Sequence, residues 1–390
     1  MMELPSYFND FLAKIRSQEY HVNDYKTGHR TLRDRLKADE ELSLIIVNTF
    51  LQGSYRRATA IRPQGEKRAD VDVIVVTKLS ENEYTPKDAL ELFIPFLEKH
   101  YKGKYKPQGR SFAIELSYVD LDLVITSAPS ESEVGIFNAD SIISDDTPET
   151  PEADEDWRLV PSWVSVGRRS TISFSDKKYY LDAARIQAEW KLSPLRIPDR
   201  DTEQWQDTHP LEQIKWTWEK NRNCNKYYIN VVKSLKWWRR INHPTPKYPK
   251  GYPVEHLIGQ CCPDGITSVA EGVTKTLEAI AEQYKINASL KITPSLPDHG
   301  VPSHNVFKRV SGDDFAEFHR QVCEAAKIAR LAYNATDIPT SVEYWQKLFG
   351  NKFPDAPPNN GNGGKGGNDP KGGGFTPRQD VTQLEGGRFA

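Results

Sequence analysis

Apolar and polar positions recur along this chain with two different periods, and the switches between them divide it. Over residues 6–50 apolar and long side chains return at helical spacing with charges on the other face, as in DYKTGHRTLRDRLKADEELSLIIVNTFL, which predicts mostly helix. ADVDVIVVTKL (69–79) alternates residue by residue and is β-branched, which predicts a strand. TPKDALELFIPFLEKHY (85–101) opens with Thr-Pro and a first-turn Asp, a helix start. SFAIELSYVDLDLVIT (111–126) alternates again and predicts a second strand. The order helix, strand, helix, strand marks an α/β or α+β half.

Residues 129–158 break the pattern: the stretch is acidic and rich in Pro, Ser and Thr, and reads as a surface loop. WRLVPSWVSVGRR and TISFSDKKYY predict short strands after it, and KKYYLDAARIQAEWKL (177–192) a helix. Helical periodicity then runs over 208–243, 268–286 and 313–335, so the second half is expected to be all-α. Residues 354–390 are rich in Gly, Asn and Pro, lack the means to bury a core, and are expected to form a disordered tail. No internal repeat is visible.

Composition narrows the class. A chain of 390 residues, 37% hydrophobic and 27% charged, suits a globular protein of two or so domains. The formal net charge of −2 carries no global basic bias, which disfavours a long nucleic acid as partner. No apolar run approaches the ~20 residues of a membrane helix, and the N-terminus lacks the apolar core of a secretion signal. A cytoplasmic location is expected. The four cysteines, at 224, 261, 262 and 323, have neither CxxC pairing nor a His at ligand spacing, and read as reduced thiols rather than a zinc site or a disulfide framework.

The candidate chemistry lies in the strands. Residues two apart on a strand share a face, so Asp70 and Asp72 project together, opposite Val71 and Val73. Two adjacent carboxylates resist ionising together unless a cation sits between them, and a hard divalent ion such as Mg²⁺ prefers oxygen ligands. The second strand offers Asp120 and Asp122, again on one face, and a third carboxylate beside the pair would allow two metals about 4 Å apart. A lone DxD is common by chance. Here, however, LQGSYRRATAIRP precedes it: Gly53 permits a tight turn, Ser54 offers a hydroxyl and an amide to a phosphate, and Arg56, Arg57 and Arg62 stand nearby as substrate contacts or as surface charge.

Together, QGSYRRATAIRP and ADVDVIVV resemble the Gly-Ser and DxD signature of the polymerase-β-like nucleotidyltransferases. Within that superfamily they are most similar to the bacterial cGAS/DncV-like nucleotidyltransferases (CD-NTases), relatives of cyclic GMP-AMP synthase and oligoadenylate synthase. LDLVIT matches the family's third-carboxylate strand with Asp122, without the Pro that usually follows, and Asp120 competes for the role. LRIPDRDTEQWQDTHPLEQIKW resembles the segment leading into the family's helical lobe, and NVVKSLKWWRRINH its basic-aromatic helix. By carry-over, Lys236 would contact donor phosphates, Lys233 would face the acceptor side, and Tyr252 would stack on a base, while Trp237 and Trp238 read as core. Gly251 stands where the family often has Ser, which puts that phosphate contact in question.

The resemblance implies a two-lobed α+β fold. A catalytic lobe (1–195) with a small mixed sheet would carry an N-terminal helix bracing both lobes and the acidic insertion; an oligoadenylate-synthase-like helical lobe (196–353) and the tail (354–390) would follow. It implies synthesis of a cyclic di- or trinucleotide second messenger from NTPs, ATP and/or GTP, with release of pyrophosphate. Asp70, Asp72 and Asp122 would hold two Mg²⁺ ions, with Mn²⁺ as a substitute. The product would activate an effector in anti-phage (CBASS) defence, and the tail, ending at Ala390, resembles tails conjugated by E1/E2-like partner enzymes. Two rivals stand beside this reading: another nucleotidyltransferase, tailing RNA or nucleotidylating a protein, and a non-catalytic nucleotide-binding scaffold. The intact Gly-Ser pair and carboxylates speak against the scaffold.

Overall fold

The computed structural model describes residues 1–65, 68–128, 194–243 and 245–357; the acidic insertion expected at 129–158, the short strands and the 177–192 helix expected after it, and tail residues 358–390 lie outside the described residues. Helix α1 spans Pro5–Ile15 and α2 Glu19–Ala38. Strand β1 (Ile46–Gln52) follows and runs directly into a single helical turn, α3 (Gly53–Arg56). Then come β2 (Asp70–Thr77), α4 (Pro86–Glu91), α5 (Ile94–Tyr101), β3 (Tyr105–Pro107), β4 (Ser111–Glu115) and β5 (Asp120–Ser127). Past the insertion, β6 (Leu195–Asp199) and β7 (Gln204–Thr208) lead to α6 (Pro210–Asn223), α7 (Tyr228–Asn242), α8 (Tyr252–Cys261), α9 (Val269–Gln283), α10 (Gly312–Asn334) and α11 (Ile338–Phe349).

The strands make one seven-stranded mixed sheet in the order β1-β2-β5-β4-β3, with β6 on β5 and β7 on β6. The β2–β5 pair is parallel and the others are antiparallel. One face of the sheet is apolar along its length: Val71, Val73, Val75, Leu121, Leu123 and Ile125 pack with Tyr25, Leu32 and Leu36 of α2 and Leu97 of α5. The other face is divided. It carries Asp70 and Asp72 first, then Ile74 and Val76, which are covered by Phe50, Val124, Leu195 and Leu211 and Ile214 of α6. The same strand thus buries its far half on both faces and leaves carboxylates on one face of its near half.

Several expectations need correction. The single strand expected over 111–126 is two antiparallel strands, β4 and β5, and the single helix expected over 85–101 is the pair α4 and α5. Residues 46–50, read as the end of a helix, belong to strand β1: Ile46, Val47 and Thr49 are β-branched, and pairing with β2 places Phe50 and Leu51 in the two cores on opposite faces of the sheet. Residues 195–208, expected to open an all-helical half, form the β6–β7 hairpin and extend the sheet, with Arg196 bridging Asp207 and Glu81 at 2.6 and 2.7 Å. The helix expected over 208–243 is two helices, because Asn225 and Lys226 adopt left-handed backbone angles (φ 51° and 68°) that end α6.

The N-terminal brace is likewise two helices serving different cores. Arg16 is extended at the end of α1, and the Gln18 amide donates to His21 Nδ1 as α2 begins. Helix α2 packs on the sheet, whereas Phe8, Phe11, Leu12 and Ile15 of α1 enter the helical core built by α7 to α11. Phe11 stacks on Phe349 (ring centroids 4.5 Å apart) and Phe8 meets Trp345 edge-on at 5.0 Å. Among the described residues no helix is long and apolar enough to cross a membrane. Because Phe11 is fully buried among these rings, Phe11→Ala is expected to cost about 3–5 kcal/mol of unfolding free energy in urea; a cost within the ~0.5 kcal/mol of a surface substitution would mean that α1 is only laid against the outside.

Candidate active site

The site begins where β1 and β5 flank β2. Register pairs Asp72 with Asp122 in the parallel ladder, and Asp70 with Asp120. Carboxylate oxygens of Asp70, Asp72 and Asp122 all lie within 4.8 Å of one another, an arrangement that fits an oxygen-preferring cation. Asp120, the competitor for the third position, is turned to Arg68 at 2.8 Å. The structure therefore brings together Asp70, Asp72 and Asp122 and gives Asp120 a different partner.

The carboxylates are uncomfortable without a cation. Partial burial and the repulsion of Asp72, Asp122 and Asp120 push the Asp70 carboxyl up to about 8. Burial, with Asp72 and Asp120, pushes Asp122 up to about 6. Burial raises Asp72 too, although the Arg57 charge pulls against it. Each group would lose most of this penalty on binding a divalent ion.

On the other side of β2, antiparallel pairing sets Gln52 opposite Asp72, so Gly53 falls beside the carboxylate. A Cβ at Gly53 would stand 1.8 Å from Asp72 Oδ2, and its φ is +73°, so two independent constraints require glycine. The turn closes with the Arg57 amide donating to Gly53 O (3.0 Å), and the Thr59 and Ala60 amides to Ser54 O (2.9 and 3.0 Å). Ser54 is half-buried at the start of this turn, next to the aspartates.

In the helical core, Tyr252 begins α8. Gly251 before it has φ 61° and ψ −133°, a conformation open essentially to glycine alone, which explains why a Ser is missing there. The Tyr252 ring lies under the Arg57 guanidinium (4.9 Å to its centroid) and meets His256 edge-on at 5.7 Å. His256 stacks on His299 at 3.9 Å, and His299 on Trp216 at 3.7 Å.

The two lysines of α7 lie in different surroundings. Lys236 donates to Glu255 Oε1 at 2.6 Å and to Thr59 O at 3.0 Å, so its ammonium is engaged by protein rather than free for a phosphate. Lys233 is buried one turn earlier, and burial, with Arg16 and Lys236 nearby, pushes its ammonium down to about 7. Glu255 is the residue that sequence reasoning missed. Burial would raise its carboxyl, but Lys236 and Arg57 together hold it down at about 2. The only sequence signal was a carboxylate inside the apolar helix start YPVEHLIG. Of the three arginines left open by the sequence, Arg57 is buried and bonded to Glu255, Arg56 is buried, and Arg62 donates to Lys14 O at the surface.

These carboxylates make stability depend on metal and pH together. Their folded pKa values stand above the ordinary 3.8, so without metal they cost stability increasingly as pH rises from there through about 6 and about 8. The expected result in thermal unfolding is a rise in Tm on adding Mg²⁺ that is larger at high pH than at low pH. Asp70→Asn with Asp72→Asn should abolish that rise and, in chelator at alkaline pH, unfold at higher temperature than the wild type. A metal-induced rise that persists in the double variant contradicts the site.

Comparisons with known proteins give the family. Residues 2–135 match the family model of the second messenger oligonucleotide or dinucleotide synthetase domain. The whole chain is 46% identical to the whole of a cyclic AMP-AMP-GMP synthase from Enterobacter hormaechei. It is 32% identical to a cyclic AMP-AMP-AMP synthase from Acinetobacter, over 91% of this chain and 86% of that protein. Its fold is shared with CdnC of E. coli MS115-1 solved with ATP, with a TM-score of 0.59 at 16% identity over 90% of this chain and 99% of that one. The chain belongs to the CD-NTase family, the bacterial cGAS/DncV-like nucleotidyltransferases that synthesise cyclic oligonucleotides.

Proposed function

We propose that this protein joins two ATP and one GTP into a cyclic AMP-AMP-GMP messenger. The supporting observation is the 46% identity that runs through the entire chain to a synthase of that product, against 32% to one that uses AMP alone. Asp70, Asp72 and Asp122 would hold Mg²⁺, which when bound neutralises the donor triphosphate and acidifies the attacking ribose hydroxyl.

The chain's own residues have separate tasks. Gly53 and Ser54 bring an amide and a hydroxyl to the triphosphate beside the carboxylates. Tyr252, backed by Arg57, offers an aromatic surface to the donor base. Asp122 takes the proton from the acceptor ribose hydroxyl. The hydroxyl oxygen then bonds to the donor α-phosphorus as the bond to pyrophosphate breaks, and each of three such linkages releases one pyrophosphate. Lys233, whose ammonium burial disfavours, regains charge beside an arriving phosphate. Lys236 reaches a phosphate only by releasing Glu255, and so acts as a tie between the turn and α7 and α8.

Further along the same reading, the product would activate an effector in anti-phage defence, and the tail ending at Ala390 would be joined to a target by an E1/E2-like enzyme. The direct test incubates the chain with all four NTPs and Mg²⁺ and reads phosphatase-resistant products by mass spectrometry. Cyclic AMP-AMP-GMP is the expected product, and Asp70→Asn with Asp72→Asn should lower its yield by at least about 10³-fold, the scale of a lost transition-state electrostatic contact. Only linear or protein-linked products would overturn the cyclase reading.

A further inference from the structure

Glu255 occupies an unusual position. It is buried in the first turn of α8, three residues after Tyr252, and receives hydrogen bonds from two other segments. Arg57 donates to Oε2 through Nε and Nη2 at 3.3 and 3.2 Å, Thr59 donates to the same oxygen at 2.8 Å, and Lys236 donates to Oε1 at 2.6 Å. Both oxygens therefore accept from protein donors, and the carboxylate is almost wholly shielded from solvent.

The geometry around Arg57 gives that saturation a consequence. Arg57 sits in the turn that Gly53 starts against Asp72, its guanidinium lies on the Tyr252 ring, and its charge and that of Asp72 act on one another. A guanidinium prefers a carboxylate in a water-poor site; this one is bonded to Glu255, while the Asp72 carboxylate attracts it from the start of the same turn. Turned to Asp72, Arg57 would neutralise the oxygens that a divalent ion needs. Turned to Glu255, it is balanced elsewhere and also supports the aromatic ring.

We propose that Glu255 is a positioning residue for the nucleotidyl transfer, holding the Arg57 guanidinium on the Tyr252 ring and so keeping that cation from replacing a divalent ion at Asp72. This rests on the reading of Asp70, Asp72 and Asp122 as the metal site. Two charges in the same cleft then act on metal binding with opposite signs: Arg57 opposes it and Glu255 restores it.

The test is Mn²⁺ binding to the full chain without nucleotide, read from the electron paramagnetic resonance signal of free Mn²⁺ at one alkaline pH. Glu255→Gln should weaken binding about three- to tenfold, the size of one unit charge felt through a partly screened interior. Arg57→Gln should tighten it by a similar factor, and the double variant should bind as tightly as Arg57→Gln, because Glu255 acts through Arg57; a double variant that returns near the wild type, as two independent charges would, overturns the proposal. A role that is merely structural predicts that all three variants weaken binding, and that result overturns the proposal, as does unchanged binding in Glu255→Gln. Circular dichroism checks folding; if Glu255→Gln does not fold, Arg57→Gln decides alone, with tightening in favour and any other result against. Asp70→Asn with Asp72→Asn is the parallel control. If it binds Mn²⁺ as the wild type does, the metal reading falls and this proposal with it; if only the opposite signs fail, the proposal falls alone.

Discussion

The parallel, in-register pairing of β2 with β5 is the constraint on which the site depends. It sets Asp72 opposite Asp122 and so turns two separate patterns in the chain into one carboxylate cluster. A slip of one residue would send Asp72 and Asp122 to opposite faces of the sheet. What prevents the slip lies on the far face, where Val71, Val73, Leu121 and Leu123 are buried against α2 and α5. The hydrophobic core therefore positions the chemistry, and the electrostatic cost of crowding three carboxylates is carried by the packing behind them.

Around this pair the remaining parts are placed by backbone geometry. β1 runs antiparallel to β2 and delivers Gly53 to Asp72, where there is no room for a side chain. The turn that follows projects Arg57 and Thr59 across to Glu255 of α8, where Lys236 of α7 also arrives. A single buried carboxylate thus links the Gly-Ser turn to two helices of the other core. Such a buried, fully hydrogen-bonded ion cluster adds little net stability, but it fixes relative position, since a partner left alone would be a costly unpaired charge.

Much of this was legible in the sequence, and the rest was not for definite physical reasons. Period-two alternation identified β2 and placed Asp70 with Asp72 on one face, because strand geometry alone determines it; it also marked 111–126 as strand, but as one strand rather than the antiparallel β4 and β5. Asp122 rather than Asp120 followed from family resemblance; the structure adds Arg68 as the partner that occupies Asp120. Strand β1 escaped because LSLIIVNTF, read by itself, fits a helix, and its identity is fixed by a partner strand distant in sequence. The β6–β7 hairpin escaped because its alternation is obscured by Arg196, Asp199 and Asp207, which form ion pairs across the sheet edge. Lys236 was legible as a lysine near the site, but not its engagement with Glu255, since a contact across 19 residues and two helices leaves no periodic trace.

The central claim is that Asp70, Asp72 and Asp122 form one metal-binding cluster, with Asp120 excluded by Arg68. Anomalous diffraction from crystals soaked in Mn²⁺ with a non-hydrolysable ATP analogue tests it most directly. The expected result is anomalous density within about 2.0–2.4 Å of oxygens from all three aspartates. Density bound by Asp120 with Arg68 displaced, or none at the three carboxylates, would contradict it.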